Sequence, residues 1–71
     1  MTIETYYHAG TEISGQTTWA TSSHTNREAA ENQARAMAEA MGGRPVVEWW
    51  DGQHGPEPND AECVQGAEYM D

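Results

Sequence analysis

Apolar and polar positions alternate from the second residue onward. In "TIETYYHAG", Ile3, Thr5, Tyr7 and Ala9 fall on one face, with Glu4, Tyr6 and His8 on the other. A period of two marks a half-buried strand. Turn residues follow in "GTEISGQ", tightest at Ser14-Gly15, and "TTWATSS" resumes a run of β-branched and aromatic residues. Residues 2–22 therefore read as a hairpin. A turn at Ser14-Gly15 puts Trp19 across from Gly10, whereas a longer loop from Gly10 to Gly15 puts it near Tyr6. The pattern leaves both registers open.

The period then changes. In "HTNREAAENQARAMAEAMGG", Ala30, Ala34, Met37, Ala38 and Met41 recur at helical spacing, with Glu28, Asn32, Arg35 and Glu39 opposite. Thr25 followed by Glu28 predicts a capping box at the start, and Gly42-Gly43 a stop. Glu31 and Arg35, and Arg35 and Glu39, are spaced for ion pairs on the helix surface. Ala29, Ala36 and Ala40 add a smooth strip on one flank, usually a matter of helix propensity but also wide enough for a close helix approach.

"PVVEWWDG" is the third strand. Pro45 costs little at a strand's first position, and Asp51-Gly52 closes it. Adjacent side chains on a strand face opposite ways, so Trp49 and Trp50 cannot enter one core. With Glu48 turned to water, Val46 and Trp50 are expected outside with it, and Val47 and Trp49 under the helix. The expected fold is α+β: a ββαβ domain over residues 1–52, its small antiparallel sheet covered on one face by one helix. Residues 53–71 read as an acidic loop and tail, forming a short helix from Asn59 or staying partly disordered. On the uncovered face Tyr6 and Trp50 meet, an aromatic patch ringed by carboxylates. Folding back of Val64, Tyr69 and Met70 over Trp50 is the plainer alternative.

Composition sharpens this. The 71 residues include no Leu, Phe or Lys, and only five Ile and Val, yet three Trp, three Tyr, four Met and ten Ala. Such a chain is near the lower size limit for unaided folding and gathers its apolar area from aromatics. The formal net charge is −9, of which residues 44–71 contribute −6. Phosphate binding relies on Lys and Arg, so neither nucleic acid nor an anionic membrane is an expected partner. A basic protein surface is attracted and steered. The bland counterpart is that acidity keeps a small protein soluble.

Chemistry-bearing motifs are absent. There is no nucleophile elbow, phosphate-cradling glycine loop or paired-carboxylate motif, so catalysis is not expected. His8, His24, His54 and Cys63 lack metal-ligand spacing, and no metal or cofactor is expected. A single cysteine permits no internal disulfide, and neither a signal peptide nor a membrane-length apolar run is visible, which points to the cytoplasm.

The stretch "ETYYHAGTEISGQTTWATSSHTNREAAENQARAMAEAMGGRPVVEWWDG" resembles, in topology and composition, the small acidic anti-CRISPR proteins that phages and mobile elements carry. Small bacterial domains of unknown role share a third strand framed in the same way by Gly42-Gly43 and Asp51-Gly52. The anti-CRISPR resemblance implies a cytoplasmic inhibitor that occupies a basic, nucleic-acid-binding groove of a CRISPR effector subunit by DNA mimicry. It carries over no catalytic residue. The expected partner contacts are Glu48, Asp51, Glu57, Asp60, Glu62 and Glu31 as charges, with Trp50 and Tyr6 as apolar anchors. A monomer or weak homodimer is expected. The alternative is a small acidic interaction or self-associating accessory module without nucleic-acid mimicry.

Overall fold

In a computed structural model, which describes residues 4–51 and 64–70, the first hairpin closes at Ser14 and Gly15. Both have positive φ, 53° and 83°. A two-residue loop with both φ angles positive matches the right-handed twist of the strands it joins, and glycine adopts it without strain. The loop joins β1 (Thr5–Ile13) to β2 (Gln16–Trp19), with Gly10 opposite Trp19 and Ile13 opposite Gln16. Of the two registers open in the sequence, the tighter one is formed.

The helix α1 spans Arg27–Met41 and is capped by Asn26, not by the Thr25–Glu28 box. Asn26 is extended (φ −115°, ψ 120°), and its Oδ1 accepts from the backbone N–H of Glu28 at 2.8 Å and of Ala29 at 3.3 Å. A cap side chain must reach the second and third helical N–H groups, and Thr25 stands one residue too early. Ala30 and Ala34 are buried, Met37 packs beside them, and Met41 is left 49% exposed. The Gly42 N–H closes the last turn on the Ala38 carbonyl at 2.8 Å.

The chain then returns as β3 (Arg44–Asp51), antiparallel to β1 along its whole length, from Glu12 opposite Arg44 to Thr5 opposite Asp51. A fourth strand, β4 (Gly66–Tyr69), lies on the other side of β3. The sheet order is β2-β1-β3-β4, all pairs antiparallel. The fold is α+β, one helix on one face of a small antiparallel sheet. Under the helix sit Ala9, Val47 and Met70, flanked by Tyr7, Ala20 and Trp49. Alanines on both layers let the helix approach the sheet closely. Among the described residues no helix is long and apolar enough to cross a membrane.

β4 corrects the expectation of a tail. Residues 66–69 pair with Val46–Trp49, and the pairing extends through Gln65 N–H to Trp49 O and Met70 N–H to Pro45 O, both 2.8 Å. Gly66 reads in sequence as a helix breaker, but in the sheet it is a space. A Cβ there would stand 2.6 Å from Cζ2 of Trp49, whose ring crosses the glycine. Gly10 does the same for Trp19, with 2.5 Å from an added Cβ to Cε3. Each large ring is seated on a cross-strand glycine, a pairing that restores the apolar contact a glycine strand position lacks. The helix expected from Asn59 is not formed over Gly66–Tyr69, which are extended because their backbone pairs with β3; its first part, and the loop expected at residues 52–60, lie outside the described residues.

Two outcomes follow from these contacts. Asn26→Ala lowers stability by about 1 kcal/mol in urea denaturation, whereas Thr25→Ala leaves it nearly unchanged. Gly66→Ala pushes Trp49 out of its seat and costs about 1–3 kcal/mol, the usual penalty of overpacking; an unchanged midpoint would show that the ring is not held there.

Candidate functional site

Strand parity gives the second face of the sheet its residues. Across from one another stand Tyr6 and Trp50, His8 and Glu48, and Gly10 and Val46, with Trp19 beyond Gly10 and Tyr69 beyond Val46. Tyr6 and Trp50 therefore share a face, as the alternation predicts. The expectation that this face is wet is overturned. Trp50 is 0% exposed, Val46 5% and Glu48 9%.

The face supplies part of its own closure. Trp19 stacks on the His8 ring with centroids 5.2 Å apart, and Trp50 meets the same ring edge-on at 5.8 Å. Tyr6 stacks on Trp50 at 6.3 Å. These contacts make a second apolar layer, built from large aromatics where the helix-side layer is built from alanine and valine. Trp50 is thus a core residue and no free-standing anchor, and Tyr6 is half-buried against it.

Glu48 is corrected in the same way. Its Oε2 lies 2.9 Å from Nδ1 of His8, with side-chain exposures of 12% and 14% for Glu48 and His8. The other ring nitrogen, Nε2, is 2.5 Å from the Ala20 carbonyl oxygen. One imidazole thus ties β3 to the end of β2 across β1. A carboxyl group out of water needs such a hydrogen-bond partner, and removing the partner would leave a buried polar group unsatisfied. Glu48 cannot serve as a surface contact while it holds His8. Sequence placed His8 on this face; what it lacked was the register that sets His8 opposite Glu48.

The remaining expected contacts scatter. Asp51 is half-buried and accepts from Gln65 Nε2 at 3.1 Å. Glu31 faces Arg27 at 2.8 Å and Arg35 at 4.0 Å. Glu57, Asp60 and Glu62 lie outside the described residues. No single array gathers Glu31, Glu48 and Asp51: one stands on the helix, one inside the second layer and one at the end of β3.

The three arginines are committed within the domain. Arg27 binds Glu31 through Nε at 2.8 Å and Glu68 through Nη2 at 2.9 Å, and its guanidinium lies 5.2 Å from the Trp49 ring centroid. Hydrogen bonding from Glu31, then Glu68, holds that guanidinium more firmly protonated than usual. It fastens the helix to β4. Arg44 lies over the Tyr69 ring at 3.9 Å, a cation–π contact, and the Tyr69 hydroxyl donates to Glu12. Arg35 reaches Asn32 and Glu31. Glu4, Glu28, Glu39 and Glu68 remain exposed, so the outer surface is negative with its positive charges already engaged. His24 is likewise occupied, its Nε2 2.6 Å from Gln33 Oε1.

Comparison of the chain and its fold with family models, curated proteins and solved structures finds no match.

Trp50→Ala removes the largest fully buried side chain. The expected cost of about 3–5 kcal/mol is comparable to the whole stability of a domain this small, so circular dichroism should show an unfolded chain. A folded variant would return Trp50 to the role of surface anchor.

Proposed function

We propose that this protein is a non-catalytic, acidic binding protein that occupies a basic, nucleic-acid-binding groove of a larger protein, in the manner of the anti-CRISPR inhibitors it resembles. It works in the cytoplasm, by stoichiometric occupancy. The observation that carries this reading is the allocation of charge. Net charge is −9, and Arg27, Arg35 and Arg44 are each engaged by the domain's own side chains. No arginine is set aside for a phosphate, while exposed carboxylates offer a basic groove what a nucleic-acid backbone would offer it. The contacts are Glu28, Glu31 and Glu39 along α1, Asp51 and Glu68 at the ends and edge of the sheet, and Glu57, Asp60 and Glu62 from the segment between β3 and β4. Recognition rests on the summed field rather than on an aromatic anchor, because Trp50 is interior.

The second reading is an interaction module that pairs through β4, whose Ala67, Glu68 and Tyr69 are exposed on an edge strand. Capture of a partner from bacterial lysate at low salt, followed by titration with duplex DNA, separates the two. The groove reading expects DNA and this protein to exclude one another on the captured partner. It also expects binding to fall steeply between about 50 and 200 mM salt, and Glu28→Gln with Glu39→Gln to weaken it severalfold. A partner that holds DNA and this protein together, in a salt-tolerant complex indifferent to those substitutions, would overturn it and favour the β4 edge.

A further inference from the structure

Both nitrogens of the His8 ring face oxygen, and the chemistry of those oxygens restricts where protons can be. Nε2 is 2.5 Å from the Ala20 carbonyl, which can only accept, so Nε2 carries a hydrogen and donates it. Nδ1 is 2.9 Å from Glu48 Oε2. A neutral imidazole has one N–H, already used on Ala20, and would turn the bare lone pair of Nδ1 toward a carboxylate that also only accepts. That arrangement repels. It is relieved by one additional proton, and only two placements are available. Either His8 is the doubly protonated imidazolium against an ionised Glu48, or neutral His8 accepts from a Glu48 that holds the proton as a carboxylic acid. The proton count of the pair is the same in both.

We infer that His8 and Glu48 form a proton-binding site built into the fold, which takes up one proton as the chain folds at neutral pH and loosens the domain when that proton leaves. The surroundings favour it. Trp19 stacks on the imidazole and Trp50 meets its edge, so aromatic rings flank a cation or a neutral hydrogen-bonded pair and limit its contact with water.

Among the described residues, the charged groups near the pair can be named from the register. The rungs on either side, Tyr6–Trp50 and Gly10–Val46, hold no carboxylate, imidazole or guanidinium. Glu12 and Arg44 face each other two rungs away, and Glu12 also accepts from Tyr69 of β4. On this face β2 contributes Trp19 and Thr17, and β4 contributes Ala67 and Tyr69. The helix packs on the opposite face, where Arg27 is held by Glu31 and Glu68 and His24 by Gln33. Glu48 is thus the charged group that sets the protonation of His8 among the described residues.

The sign follows from proton counting. In the unfolded chain a histidine releases its proton near pH 6.5 and glutamate is ionised. Above that pH the folded pair holds one proton more than the unfolded one, so stability falls as pH rises. The limit for a single proton is a drop of about tenfold in the folding equilibrium constant per pH unit. The formal charge of −9, counted with neutral histidines, is one unit less negative in the folded domain while the site is filled. The structural consequence is local. His8 fastens Ala20, just beyond the four-residue β2, to β3, and a vacated site gives up one of those two ties.

Glu48→Gln tests this directly. A carboxamide can donate its own N–H to Nδ1 of neutral His8, so the variant satisfies both ring nitrogens without the extra proton. Urea unfolding from about pH 6 to pH 9 should show the wild-type folding constant falling with pH and the Glu48→Gln constant with that slope removed; His24 and His54 are present in both and cancel. Nitrogen-15 and carbon-13 NMR of the wild-type protein gives a reading that needs no variant. At pH 7.5 it should find either two hydrogens on the His8 ring or a protonated Glu48 carboxyl. Equal pH slopes in wild type and Glu48→Gln, or a bare His8 nitrogen beside an ionised Glu48 in the folded protein, would overturn the inference.

Discussion

A carboxylate on the sheet face that α1 does not cover has to find a donor or stay in water, and in this protein Glu48 finds His8. Much else depends on that rung. With the pair in place, the face can be dried, because the two polar side chains at its centre bond to each other. Trp19 then lies on His8 and Trp50 against its edge, so the aromatic layer is assembled around the imidazole rather than merely beside it. The same ring reaches the Ala20 carbonyl and so spans three successive segments of the sheet. Buried ion pairs are often no better than apolar replacements in stability; this rung is met only in the register that sets His8 opposite Glu48. In a sheet whose neighbouring strand positions are Thr, Tyr, Ala and Gly, that specification has value.

Charge is divided by sign between two tasks. The three arginines are structural: Arg27 rivets α1 to β4 through Glu31, Glu68 and the Trp49 ring, and Arg44 lies on Tyr69. Exposed pairs of this sort contribute modestly, but they hold an edge strand that has only four residues. Among the described residues, the exposed Glu4, Glu28 and Glu39 take no part in these ion pairs. An acidic exterior built over a domain that has used up its cations is consistent with a partner that is itself basic, and with exclusion of polyanions as ligands.

Small size shapes the packing. Without Leu or Phe, apolar volume is concentrated in a few indole and phenol rings, and glycines make the room for them. Trp49 over Gly66 and Trp19 over Gly10 put one such pair on each face, at opposite ends of the sheet order. The helix-side layer is then thin enough for Ala30 and Ala34 to meet Ala9 and Val47.

Periodicity by itself determined the helix, the hairpin and the division of each strand into two faces, because those depend on spacings of two and 3.6 residues along the chain. The assignment of Tyr6, His8, Glu48 and Trp50 to one face was legible for this reason. Whether that face is wet was not, since burial is set by side chains arriving from other strands. Glu48 and Trp50 were accordingly misjudged as surface contacts. The cap moved from Thr25 to Asn26 because two neighbouring residues of similar chemistry competed and geometry chose between them. β4 escaped notice because a four-residue strand with a glycine has no periodic signal of its own and forms only against Val46–Trp49. The His8–Glu48 contact spans forty positions of sequence separation, and only the register of β1 on β3 brings its two halves together.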